Sequence, residues 1–174
     1  MRVNNKDMKG FTLIEMLVVL GILGVVASVL LIEVNPIAQI QKANDARRKG
    51  DLETMQHALE LYYQDNGSYP TSSGDYKILN SSGVTINWGS PWQPYMSTLP
   101  KDPLPANTYV YFSPTSGSGQ TYYLYANLQR GSGDPQACNK GNACTSLTGN
   151  AGFPSADACG GTCNYGVSSP NVSP

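Results

Sequence analysis

The sequence predicts an α+β protein: a long N-terminal helix, with a transmembrane half and an amphipathic half, packed on a small antiparallel β-sheet head with a disulfide-bearing C-terminal tail. Three observations carry this reading. Met16 to Ile32 is an apolar run without a charged side chain, about long enough to span a bilayer. Residues 37–66 then show helical spacing of apolar positions. Tyrosine-rich β-type runs follow only after Thr108, and all four cysteines come later still, from Cys138 onward. The segments expected are 1–10, a leader; 11–34, the apolar helix; 35–67, the amphipathic helix; 68–128, the loop and sheet head; and 129–174, the Gly/Ser-rich tail.

Composition narrows the function classes. Lysine and arginine number 11 against 12 acidic residues in 174, so no net basic charge points to nucleic acid as a partner. Beyond Leu104 the carboxylate side chains are Asp134 and Asp157 alone, so hydroxyls, amides and backbone must solvate that half.

Arg2, Lys6 and Lys9 precede the apolar run. Basic residues on that flank stay cytoplasmic and send the C-terminal part across the membrane. Three arrangements fit: a secretory signal cut after a small residue such as Ala27, a plain anchor with Glu15 near the interface, or a leader removed before the apolar run. The run is longer than a usual signal core and carries Glu15 near its start, which speaks against the first.

Lys9-Gly10-Phe11-Thr12-Leu13-Ile14-Glu15 resembles the processing motif of the type IV pilin and type II secretion pseudopilin superfamily, and this selects the third arrangement. The resemblance implies that a membrane prepilin peptidase cuts between Gly10 and Phe11. Phe11 then becomes the first mature residue and is N-methylated. It also implies that Glu15, fifth in the mature chain, neutralises the cationic N-terminus of a neighbouring subunit during assembly. The residue chemistry agrees. Gly10 fits a narrow protease subsite in an extended conformation. A carboxylate in an apolar helix is costly and normally marks function, although snorkelling to the headgroups is the bland alternative.

Along the helix, Gly21, Gly24, Ala27 and Ser28 place small residues where helices can approach closely. Asn35-Pro36 predicts either a kink, because proline lacks the N–H, or a new helix capped by Asn35 with Pro36 in its first turn. Leu52, Met55, Leu59 and Tyr62 form one apolar stripe, while Asp45 with Lys49 and Glu53 with His57 read as polar-side pairs. Asn66-Gly67 supplies the stop. His57, the only histidine, reads as a surface residue. No nucleophile–base set or paired head carboxylates stand out, so no enzyme activity is expected.

Ala58-Leu59-Glu60-Leu61-Tyr62-Tyr63-Gln64-Asp65-Asn66-Gly67-Ser68-Tyr69-Pro70 and Leu99-Pro100-Lys101-Asp102-Pro103 are similar to segments of the major pseudopilins of type II secretion. Thr71 to Pro105 reads as loop with a short strand at Val84–Trp88, and Trp88, Trp92 and Tyr95 are expected to pack it on the helix. Tyr109–Phe112 and Thr121–Leu128 read as hairpin strands joined by the loop 113–120. Tyr122, Leu124, Ala126 and Leu128 should face the helix, leaving Tyr123 and Tyr125 for subunit contact or solvent.

Cys138, Cys144, Cys159 and Cys163 are spaced C-x5-C-x14-C-x3-C. The first pair is too widely spaced for a usual zinc site, and a head outside the cytoplasm favours disulfides. Of the three connectivities, sequential pairing closes the shortest loops. The resemblance also implies a calcium loop rich in carboxylates. Asp134 and Asp157, with backbone and amide oxygens, are a poor donor set for one, so no metal and no cofactor are expected, with calcium left open. Taken together, the resemblance implies a structural, inner-membrane single-pass subunit with a cytoplasmic N-terminus, polymerised into a type II secretion pseudopilus or a type IV pilus-like filament that is extracytoplasmic or on the cell surface. Its partners would be copies of itself, other pilin-like subunits, the prepilin peptidase and an assembly platform with a separate ATPase. A minor pilin or tip adhesin is the alternative.

Overall fold

The computed structural model describes residues 10–33, 35–114, 118–148 and 152–174. Arg2, Lys6 and Lys9 of the expected leader, and positions 115–117 of the expected hairpin loop, lie outside the described residues. The chain divides into two compact units, one ending at Ile40 and one beginning at Gln41.

The first unit holds helix α1 (Leu13–Glu33) and the first residues of helix α2 (Pro36–Asn66), most of which belongs to the second. The described α1 side chains as far as Val26 are apolar on every side except at Glu15 and the glycines, and the larger ones are exposed. Among the described residues no helix is long and apolar enough to cross a membrane; α1 side chains are described only as far as Ser28. Of the two expectations at Asn35-Pro36, the capped restart is what forms. Asn35 adopts a positive φ of 42°, and its Oδ1 accepts the Ala38 N–H at 3.2 Å, with Pro36 in the first helical position. Asparagine tolerates that backbone region because its short polar side chain bonds locally.

In the second unit, α2 lays its stripe on a three-stranded antiparallel sheet. The strands are β1 (Val110–Phe112), β2 (Tyr123–Ala126) and β3 (Tyr165–Ser168), in the order β1-β2-β3. Val110 lies opposite Tyr125, and Leu124 opposite Val167. Alternate residues point to opposite faces of a strand, and here each face meets its own core. Leu52, Met55, Ala58 and Leu59 pack with Tyr109, Tyr111, Tyr122, Leu124 and Ala126 on one side. Burying each leucine or methionine there contributes about 1.5–3 kcal/mol. Ile78, Trp92 and Leu99 from the long loop close the same core, and Tyr62 stacks on Trp92 with ring centroids 5.7 Å apart.

The other face departs from expectation. Tyr123 and Tyr125 are buried rather than offered to solvent or a neighbour, in a second core with Val110, Leu147, Cys144, Cys159 and Cys163. The tail folds back over them and also supplies β3, which no sequence signal indicated. Val84–Trp88 is not a strand: Thr85 makes a single bridge to Leu79, and Ile86 N–H reaches Ile78 O at 2.9 Å. Asn80 and Gly83 turn the chain just before it, and Gly89 N–H bonds Leu99 O just after, so pairing cannot extend. The two anticipated strands are shorter than expected, at Val110–Phe112 and Tyr123–Ala126. Gly67 ends α2 with a positive φ of 71° and donates its N–H to Tyr63 O at 2.8 Å.

Candidate functional site

Gly10, Phe11 and Thr12 precede α1 and are exposed, Phe11 by 76%. The Gly10–Phe11 bond therefore lies in non-helical chain. Thr12 caps the helix: its Oγ1 accepts the Glu15 N–H at 3.3 Å, and Glu15 Oε2 accepts the Thr12 N–H at 2.8 Å and hydroxyl at 2.7 Å. This is a reciprocal capping box, in which two otherwise unbonded N–H groups at the helix start are satisfied. Phe11, Ile14, Val18 and Val19 form an apolar surround for Glu15. Thr12 is a residue that sequence reading missed, and the T-x-x-E spacing was its signal.

A second polar cluster ties α2 to the head. Arg48 is fully buried and sits one turn before Leu52 on the apolar stripe. Its Nε and Nη2 donate to the two oxygens of Asp102 at 2.7 and 2.8 Å, and its Nη1 donates to Asp45 Oδ1 at 2.8 Å. Asp45 also accepts the Gln129 and Arg130 N–H groups, each at 2.9 Å. Burial alone would lower the Arg48 pKa, but the two carboxylates outweigh it and hold the guanidinium charged. The expected Asp45–Lys49 pair does not form. Asp45 is buried with Arg48, and Lys49 reaches the tail instead, donating to Asp134 Oδ2 at 2.6 Å and Gln136 Oε1 at 2.8 Å.

Asp134 further accepts the Gln136 N–H at 2.9 Å. Partial burial pushes this carboxyl up, but Lys49 and the Gln136 N–H more than offset it and hold it below the ordinary 3.8. A carboxylate whose pKa is lowered by folding stabilises the fold above its ordinary value, and that contribution disappears as pH falls through the lowered one. Tail protection against protease should therefore hold at pH 5 and weaken as pH falls below the ordinary carboxylate value of about 4. A pH series of limited proteolysis checks this.

The four cysteines pair as Cys138–Cys144 and Cys159–Cys163, with Cα atoms 4.9 and 5.3 Å apart. Cys144 N–H bonds Cys163 O at 3.1 Å, and Cys138 N–H bonds Asn164 O at 2.8 Å, so the two loops are stitched together. Asn164 extends the seam: its Oδ1 accepts the Leu128 N–H at 2.7 Å and its Nδ2 donates to Leu128 O at 3.0 Å. Gly160, at a φ of +76°, lies so close to Ala106 O that any side chain would collide. Phe11 and Glu15 belong to one unit and the cysteines to the other, so the structure assembles two local sites.

Comparison with known proteins adds identity to this geometry. Residues 5–31 match the prokaryotic N-terminal methylation motif, and residues 35–138 match type II secretion system (T2SS), protein G. The type II secretion system core protein G of Pseudomonas aeruginosa is 32% identical over 137 residues, covering 76% of this chain and 93% of the relative. That of Vibrio cholerae is 33% identical over 139 residues, covering 76% and 90%. The Escherichia coli K12 protein of the same description is 33% identical over 118 residues, covering 66% and 77%. No solved structure matches. The protein G match ends at Cys138, just where the disulfide-bonded tail begins. A methylation-type N-terminus, a helix laid on a three-stranded sheet and similarity over most of three relatives meet in one chain, which belongs to the type II secretion system protein G family.

Proposed function

We propose that the chain is a structural pilin-like subunit, cleaved between Gly10 and Phe11 by prepilin peptidase, N-methylated at Phe11 and polymerised into a secretion pseudopilus. The observation that carries this is the coexistence of the methylation motif over residues 5–31 and the protein G match over residues 35–138 in one polypeptide. Before assembly the subunit waits in the inner membrane, N-terminus inward, held by the uncharged run from Met16 to Ile32. Its partners are copies of itself and other pseudopilins, and a platform with its own ATPase extracts it. Addition is head to tail and does not close into a ring, which yields an open helical filament.

The family's role is structural, and the polar clusters of the head are consistent with it. Arg48, Asp45 and Asp102 spend their hydrogen-bonding capacity on one another and on backbone N–H groups. The test is co-expression with peptidase and assembly platform, followed by mass spectrometry and electron microscopy. The expected product begins at a methylated Phe11 and forms abundant filaments of this subunit. An uncut chain would refute the processing step. Sparse incorporation into filaments of another subunit would show the minor-pilin role instead.

A further inference from the structure

The family resemblance implies a calcium-bound head, and the donors in this chain do not fit one. A hard divalent cation takes six to eight oxygens, usually with several carboxylates. Among the described residues no three of His, Cys, Asp or Glu converge as a metal set. Asp134 and Asp157 are the carboxylate side chains available beyond Leu104. Asp157 is exposed, and both Asp134 oxygens are already engaged, one by an ammonium. A calcium ion placed there would have to displace that ammonium or sit beside it against like-charge repulsion.

The Lys49 side chain is the positive group that this part of the tail encloses. It is 22% exposed and its partner Asp134 19%. Its Nζ binds Asp134 Oδ2 and Gln136 Oε1 and lies 5.5 Å from the centroid of the Tyr165 ring. One cation from α2 thus holds the segment before Cys138 and the first residue of β3. Beyond it the two disulfides close the loops that cover Tyr123 and Tyr125. We propose that the Lys49 ammonium is the resident cation of this head, and that it and the two disulfides fasten the tail without calcium.

The experiment uses the mature full-length chain in detergent micelles, with thermal unfolding followed by tyrosine near-UV circular dichroism. Oxidised protein is melted with excess calcium and with excess EGTA, and Lys49→Met is melted under the same two conditions. The wild-type midpoints should agree within about 1 °C, whereas a resident ligand at a hundred times its Kd would separate them by about 5–10 °C. Lys49→Met should melt about 3–6 °C lower, whether or not calcium is present. A calcium-dependent rise in the wild type of more than about 2 °C overturns the proposal. So does a Lys49→Met chain that melts with the wild type. The calcium comparison does not depend on the variant folding, and neither readout depends on filament assembly.

Discussion

Glu15→Leu should leave the chain inserted and cut at Gly10–Phe11, yet lower filament yield by on the order of a hundredfold, as expected when one member of a buried charge pair is removed. The structure shows a local role that must be separated from the pairing we propose, because Glu15 Oε2 accepts the Thr12 N–H. Glu15→Gln separates them. Glutamine serves in a capping box as glutamate does, but carries no charge to meet a neighbour's cationic N-terminus. If the carboxylate acts through charge, Gln should fail nearly as badly as Leu. Filaments formed at normal yield by Glu15→Gln would end the pairing idea and leave capping as the residue's function. The measurements are peptidase cleavage by mass shift and filament yield in sheared fractions.

The second large effect belongs to Arg48. Replacing it with methionine preserves much of the volume but leaves the Asp102 carboxylate, whose side chain has no solvent exposure, facing Asp45 without a counter-charge. Breaking a buried pair in this way costs about 3–5 kcal/mol. That is about a fifth or more of the roughly 5–15 kcal/mol by which whole domains are stable. The melting midpoint of the head should fall by roughly 10 °C. The double variant Arg48→Met/Asp102→Asn removes one stranded charge and keeps an acceptor for the Leu104 N–H, which Asp102 Oδ1 holds at 2.8 Å. It should recover about half of the loss. A single variant as stable as the wild type would show that the triad is not a structural keystone. Steady-state subunit levels give a cellular readout, since unstable heads are degraded before assembly.

What could be read in the chain divides along physical lines. Leu52, Met55 and Leu59 announced their shared face because helical spacing repeats whatever the tertiary context. Tyr122, Leu124 and Ala126 did so because strand alternation is equally local. Arg48 was hidden by its own chemistry: a charged side chain on a helix reads as solvated, and only its place one turn before Leu52 hinted otherwise. β3 was hidden because Tyr165-Gly166-Val167-Ser168 is short and includes a glycine, so its strand character comes from pairing with β2 rather than from propensity. The burial of Tyr123 and Tyr125 followed from a tail that covers them with Leu147, Cys144, Cys159 and Cys163, a pattern with no period to detect. Thr12 is legible only through its T-x-x-E spacing to Glu15, the residue that the resemblance assigns to assembly.

The central position of β2 sets the order in which the head can be completed. All four of its residues are buried, and it needs β1 on one edge and β3 on the other. As the chain emerges from N- to C-terminus, α2 and β1 are present when β2 arrives, but its second edge stays unpaired until residues 165–168 follow. Until then the nascent head offers an open strand edge and two uncovered tyrosine rings, the features that recruit a second chain into misassembly. Closure of that edge waits for residues 165–168, so a subunit cut before Tyr165 should aggregate before it ever reaches a growing filament.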